Sequence, residues 1–160
     1  MSRVPVRRAG PTDAPALLRL TQGLARAQNE PEGRTTEADL CRAWLGDGAP
    51  GLALVAEDGA EAIGYIALMP SFESAHASHG YYVSDLFVAD RVRRRGIGTA
   101  LLAAAAHEAI TSGRSSLWWV AQARNSGAHR LYRHFAAIEQ PVRAFAVFGD
   151  HLTRLAARLP

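Results

Sequence analysis

Four arginines fall within five positions, Arg91, Arg93, Arg94 and Arg95, and Gly96-Ile97-Gly98-Thr99 follows at once. A guanidinium is planar and can grip two phosphate oxygens together. Glycines beside it remove side chains where a phosphate would approach the backbone. The stretch follows the apolar run Tyr81–Val88 and precedes the alanine-rich run Thr99–Thr111. That order predicts strand, turn and helix, and the unpaired N–H groups opening a helix bind anions. Two common phosphate loops are excluded. A P-loop needs Lys-Ser/Thr after its last glycine, where this chain has Thr99-Ala100. A dinucleotide fingerprint needs a third small residue, where this chain has Leu101. What remains is Arg-x-x-Gly-x-Gly, Arg93–Gly98. The plain alternative is an ordinary strand-to-helix turn with solvated arginines.

Asp85 is the second chemical feature. It interrupts the apolar strand pattern, where a carboxylate is costly unless it is paired or lies in a wet cleft. It reads either as half of an ion pair with a buried arginine or as the residue that attracts and aligns a cationic amine. In the second role it would also help to remove the amine's proton, directly or through water.

These residues need a scaffold, and the periodicities describe one. Val4–Arg8 reads as a first strand. Thr12 or Asp13 caps a helix carrying Leu17, Leu20 and Leu24, and Asn29–Gly33 is a loop. Thr36 and Asp39 are spaced as a capping box for a second short helix. Its stripe is Leu40, Cys41, Trp44 and Leu45. The apolar runs on either side of Asp58-Gly59 read as a hairpin, and Pro70–Gly80 as a polar loop. Tyr81–Val88 is a central strand, and Thr99–Thr111 a helix ended by Gly113. Ser116–Ala121 is the next strand. Asn125–Phe135 is a helix capped by Asn125 or Ser126, Arg143–Phe148 a last strand, and Asp150–Leu159 a terminal helix. The fold class is α/β: a mixed, mostly antiparallel central sheet with helices on both faces.

The 160 residues fit one compact domain, 1–160, large enough for a core without disulfides or metal. All 18 basic residues are arginine. Removing Arg91, Arg93, Arg94 and Arg95 from the formal charge of +3 leaves −1, so the basic character is local. That argues against a broad nucleic-acid face, and no nucleic-acid partner is expected. The lone Cys41 cannot form an internal disulfide. Met1–Gly10 has no apolar segment of signal-peptide type, and no apolar run reaches membrane-spanning length. The expectation is a cytoplasmic protein without a membrane partner. His76 and His79 lack further ligand-type neighbours, so no metal is expected.

The Arg93–Gly98 pattern after an apolar strand resembles the GNAT family of acetyl-CoA-dependent N-acetyltransferases. The stretch Ala123–Ala137, with Asn125, Leu131 and Tyr132, is similar to the next element of that family. The likeness runs from about Val6 to Leu155. It implies that the central strand is splayed from its neighbour and that backbone groups of Leu86, Phe87 and Val88 line the pantetheine arm. One of their N–H groups would polarise the acetyl carbonyl. It implies that Arg93, Arg94, Arg95, Gly96, Ile97, Gly98 and Thr99 wrap the coenzyme pyrophosphate, with Arg93, Gly96 and Gly98 foremost, and that Asn125 contacts the pantetheine. It implies too that Tyr132 protonates the leaving thiolate. A phenol of pKa about 10 suits that task against a thiol of about 8.5. Where the family has glycine four residues after this tyrosine, the chain has Ala136.

Within the family the chain looks most similar to the diamine (spermidine/spermine-type) acetyltransferases. Where that branch carries two adjacent acids, this chain has Ser84 and Asp85. The resemblance implies transfer of acetyl from acetyl-CoA to a primary amine of a small molecule, diamine-like or amino-acid-like. The route is direct attack in a ternary complex, with Tyr132 and Asp85 as the catalytic pair and a homodimer as the assembly. The alternatives are a non-catalytic CoA-binding regulatory module, an acetylase of a protein N-terminus or antibiotic amine, and a nucleic-acid binder using Arg91–Arg95. Acceptor loops are expected at Gln28–Thr36 and Pro70–Gly80.

Overall fold

Leu52–Ala56 and Ile63–Leu68 are buried without alternation, as strands covered on both faces must be. They lie at the centre of a five-stranded sheet in the computed structural model, which describes residues 4–159. Arg3, part of the charged N-terminal reading, lies outside the described residues. The strands are β1 (Val6–Arg8), β2 (Leu52–Asp58), β3 (Glu61–Glu73), β4 (Ser78–Val88) and β5 (Ser116–Trp118), and they neighbour one another in sequence order. The first three pairings are antiparallel, and β4 with β5 is parallel. A parallel neighbour requires a crossover, which the helix α3 (Ile97–Thr111) supplies. This is the expected mixed, mostly antiparallel α/β sheet.

One face carries α1 (Ala14–Gln28) and α2 (Glu37–Leu40). Leu17 and Leu20 of α1 and Leu40 of α2 join Ala53, Val55, Tyr65, Ala67 and Phe87 in one buried cluster. Thr36 and Asp39 form the expected capping box, with both backbone N–H groups accepted by the partner side chain. The helix continues as one π-helical segment, Cys41–Leu45, which the apolar stripe did not announce. The other face carries α3. Gly64 alternates with Tyr65 along β3, and a Cβ built there would lie 3.4 Å from Leu101. Leu17 and Leu101 are fully buried, each contributing about 1.5–3 kcal/mol of burial free energy.

Contacts divide the chain into a first unit, Met1–Trp119, and a second, Val120–Pro160. The second holds α4 (Ser126–Arg133) and α5 (Asp150–Ala156).

Several expectations are corrected. Pro70–Gly80 is not a loop: β3 runs to Glu73, β4 starts at Ser78, and Pro70 pairs with Tyr81 through to Glu73 with Ser78. Cross-strand pairing overrides polar composition here. Pro70 is tolerated because β2 stops pairing at Leu68, so its missing N–H breaks no ladder on that side. Arg143–Phe148 is not a strand. Among the described residues nothing pairs with it, and Phe145 is 90% exposed. Alternating apolar residues do not make a strand without a neighbour for their N–H and C=O groups. The fifth strand ends at Trp118 rather than Ala121, and α4 ends at Arg133 rather than Phe135.

Candidate functional site

The pairing of β4 with β5 covers only Gly80–Tyr82, although β4 runs on to Val88. Beyond Tyr82 one edge of β4 therefore has no strand beside it among the described residues. The direction of its donors follows from one bond: Ala89 donates its N–H to the carbonyl of Ile63 at 2.9 Å. Antiparallel alternation then turns the N–H groups of Phe87 and Asp85 toward β3 and those of Leu86 and Val88 toward the open edge. Of the three backbone candidates, Leu86 and Val88 face outward. Phe87 instead packs its ring into the α1 face, where Gly23 of α1 lies so close that a Cβ would sit 2.8 Å from it.

The open edge leads into the Arg/Gly turn. After a short 3-10 turn at Asp90–Val92, Arg94 has φ 64° and Gly96 φ 77°. Both are left-handed, a conformation that glycine adopts freely and arginine at a cost. Gly96 is the N-cap of α3, so the first-turn N–H groups of Ile97, Gly98 and Thr99 have no intrahelical acceptor. A side chain on Gly96 would point into open space. The backbone thus forms a donor-rich turn at the positive end of a 15-residue helix.

The arginines divide into two kinds. Arg93 donates its Nε–H to the carbonyl of Val88 at 3.1 Å, pairs with Asp90 at 2.6 Å, and lies over the Phe87 ring. It braces the turn against the strand. Arg91 pairs with Glu61 at 2.5 Å. Arg94 and Arg95 are exposed, and among the described residues no carboxylate lies within ion-pair reach of either.

Asp85 does not pair with an arginine. Its Oδ2 accepts a hydrogen bond from the Tyr65 hydroxyl at 2.7 Å, and among the described residues it has no ion pair. Regular pairing makes this contact, and a bulge begins just past it. Ala67 faces Asp85 while the next residue, Leu68, faces Val83, so Ser84 is the extra residue. Strict alternation would place Val83, Asp85 and Phe87 on one face. The bulge sends Val83 to the α3 face with Leu68 and leaves Asp85 on the α1 face with Ala67 and Tyr65. Burial holds the Asp85 carboxyl above the usual carboxylate range; the Tyr65 hydrogen bond opposes this, and the nearby Glu30 adds to it. Burial, then Asp85's charge, push the Tyr65 phenol far up, so it stays a donor. Sequence reasoning missed Tyr65. No local signal marks it, because its partner lies on another strand and is set by the register of β4 on β3.

In the second unit Asn125 is the N-cap of α4: its Oδ1 accepts the Ala128 N–H at 3.0 Å. That use leaves the amide NH2 as a donor. Tyr132 lies in the last turn of α4, and burial raises its phenol pKa. Ala136 is not left-handed; its N–H returns to Tyr132 O at 2.8 Å. The glycine expected there is not needed, because the helix closes without an αL residue. His76 pairs with Glu73, and His79 packs on Phe72.

The family model described as "Acetyltransferase (GNAT) family" matches residues 17–136, from α1 through the Arg/Gly turn to just beyond α4. The chain belongs to the GNAT acetyltransferase family. GNAT enzymes use acetyl-CoA as cosubstrate. This GNAT chain is 31% identical over 90 residues to the L-ornithine N5-acetyltransferase NATA1 of Arabidopsis thaliana, covering 56% of this chain and 40% of that protein. It is 37% identical over 79 residues to the uncharacterized N-acetyltransferase YhfO of Bacillus subtilis (strain 168), covering 49% and 53%. The chain thus aligns with about half the length of these curated relatives, or less. Among solved structures it is similar to the aminoglycoside acetyltransferase HMB0005 from an uncultured soil metagenomic sample. The TM-score is 0.77 at 24% identity, covering 93% of this GNAT chain and all of that one. At that identity the likeness is one of fold.

Proposed function

We propose that this protein transfers acetyl from acetyl-CoA to the primary amine of a small molecule, diamine-like or amino-acid-like, by direct attack in a ternary complex. The observation that carries the reading is the continuity of β4. Its open edge, with Leu86 and Val88 N–H groups outward, is followed in the chain by the turn at Arg94–Thr99 and its free helix-start N–H groups. A row of amide donors followed by a cluster of them suits a long ligand with a pyrophosphate at one end.

When bound, acetyl-CoA supplies an activated acetyl group as a thioester. Main-chain N–H groups of Gly96, Ile97, Gly98 and Thr99, with the Arg94 and Arg95 side chains, would hold the pyrophosphate. Arg93 would brace that cradle through Val88 and Asp90. Leu86 or Val88 N–H would donate to the acetyl oxygen as charge develops on it. Asn125 would donate its amide NH2 to the pantetheine. Asp85 would bind the acceptor ammonium and favour its approach. The amine must lose a proton before it can attack, and Tyr132, kept protonated by burial, would donate to the departing sulfur.

The diamine-like preference is supported by Asp85, a half-buried carboxylate on β4 with no ion pair among the described residues. The same reading takes residues 1–160 as one acetyltransferase domain, since the family match runs from the first compact unit into the second. A homodimer belongs to this reading through the family resemblance alone, and a cytoplasmic location through the lone Cys41. The test is release of CoA thiol from acetyl-CoA with a panel of diamines, polyamines, ornithine-like amino acids and aminoglycosides. Turnover is expected with the first three groups. Tight acetyl-CoA binding without thiol release for any amine would overturn the enzymatic reading.

A further inference from the structure

We infer that Tyr65 is a positioning residue that holds Asp85 in place to receive a cationic acceptor and sets the pH at which it can do so. This rests on the reading of Asp85 as the acceptor-binding carboxylate.

Tyr65 is completely buried, and its ring packs against Trp44 at 6.2 Å between centroids. Trp44 belongs to the π-helical segment, so one irregular turn fixes the ring that fixes the carboxylate. A buried hydroxyl without an acceptor is costly, and the acceptor here is Asp85 Oδ2. The two residues are diagonal neighbours across β3 and β4, since Asp85 faces Ala67, two positions from Tyr65. The regular register from Gly64–Val88 to Ala67–Asp85 makes them so, because it puts Asp85, Phe87, Tyr65 and Ala67 on one face.

The hydrogen bond occupies one carboxylate oxygen and leaves the other to a ligand. The charged and titratable groups acting on Asp85 are Tyr65 from β3 and Glu30 from the loop after α1. Neither is a cation, and among the described residues Asp85 has no ion pair, so a cationic ligand would find an unpaired carboxylate there. Tyr65 favours the ionised form of Asp85, whereas burial and Glu30 oppose it. Removing the hydroxyl therefore moves the carboxylate's titration to higher pH. Strengthening it moves the titration to lower pH.

The experiment compares wild type, Tyr65→Phe, Asp85→Asn and the double variant, plus protein with 3-fluorotyrosine placed at position 65. The more acidic phenol of that residue donates a stronger hydrogen bond and keeps the shape. Steady-state kinetics with a diamine, the pH profile of kcat/KM and a 13C-carboxyl titration of Asp85 are read. The titration needs no turnover. Tyr65→Phe is expected to raise the acceptor KM about tenfold, as loss of a hydrogen bond to a charged group does. It should leave the acetyl-CoA KM unchanged and move the acidic limb and the 13C midpoint to higher pH. 3-Fluorotyrosine should move both the other way. In the Asp85→Asn background Tyr65→Phe should have no further effect on the acceptor KM. If Tyr65→Phe lowers only Tm while the acidic limb and 13C midpoint stay fixed, Tyr65 is structural and the inference fails. If Asp85→Asn leaves the acceptor KM unchanged, the acceptor role of Asp85 fails and the inference falls with it. Should Tyr65→Phe not fold, the fluorotyrosine shift alone decides.

Discussion

Arg94 and Gly96, separated by one residue, are both left-handed, at φ 64° and 77°. The two left-handed residues bend the backbone into the start of α3, whose first-turn amides of Ile97, Gly98 and Thr99 have no intrahelical acceptor. Only one of the two positions is occupied by the residue that conformation favours, so Arg94 pays a backbone cost where glycine would not. Arg94→Gly is therefore expected to stabilise the fold by about 1 kcal/mol while weakening acetyl-CoA binding, because a cation is lost. Denaturation and calorimetry check the two halves. A variant that binds acetyl-CoA as tightly as wild type would remove Arg94 from the cradle.

Gly96→Ala and Gly96→Glu separate strain from charge at the same position. Both force a Cβ onto a left-handed residue, at about 1–2 kcal/mol of stability. A Cβ there meets no neighbour, so the two variants should unfold at similar denaturant concentrations. Only Gly96→Glu brings an anion to the proposed pyrophosphate site, and it should lose acetyl-CoA affinity well beyond the alanine variant. Equal affinities by calorimetry would refute the cradle.

Tyr132→Phe should retain acetyl-CoA binding and fold while kcat falls roughly a hundredfold or more, the scale of a lost general acid. Burial raises the Tyr132 pKa, so the phenol stays protonated through neutral and moderately alkaline pH. An alkaline loss of activity below pH 10 should therefore belong to another group. Near-normal kcat in the variant would end the assignment.

Asp85 is held above its unfolded pKa, which reverses the usual carboxylate behaviour. Below the unfolded value of about 3.9 both states are protonated and Asp85 costs nothing. As pH rises from there through the folded value, the unfolded chain ionises more readily and stability is lost. Above the folded value the loss levels off. Asp85→Asn should consequently raise Tm at pH 7 and leave it nearly unchanged at pH 3, even as turnover falls. Calorimetry at the two pH values checks this.

Arg7 shows the opposite sign. Its guanidinium grips Asp13 through two bonds of 2.8 Å and also reaches Glu57, tying β1 to the start of α1 and to β2. The Arg7 hydrogen bonds hold the Asp13 carboxyl below its usual range. That stability is present above about pH 4 and is lost as pH falls through the folded value. Arg7→Met should cost about 1 kcal/mol at pH 7, since the pair is partly exposed, and should flatten this acid-induced loss. Acid titration of both proteins by circular dichroism measures it.

Much of the site was legible in the sequence because it is local. Arg93–Gly98 is contiguous, and a strand-to-helix turn needs only its own residues to present amides. Asn125 as a cap and Thr36–Asp39 as a capping box are similarly short-range. The hairpin at Pro70–Gly80 was hidden because its polar residues are held as strands by partners across the turn and on β5, not by their own pattern. The fate of Arg143–Phe148 was hidden for the converse reason: its pattern suits a strand, and among the described residues no strand pairs with it.

The sequence by itself determined the order of elements through α4, the glycine turn that opens α3 and the family, because each depends on neighbours within a few residues or on a linear pattern. The tertiary structure alone decided which atoms those elements present. The register of β4 on β3 turned Leu86 and Val88 outward and Phe87 inward. The Arg93 side chain went to Val88 and Asp90, so it braces the turn. The same β4 register put Asp85 on the Tyr65 face, and one inserted residue, Ser84, moved Val83 to the other. Side chains alternate with a period of two, so one inserted residue exchanges the faces, and its position is set by long-range pairing between strands.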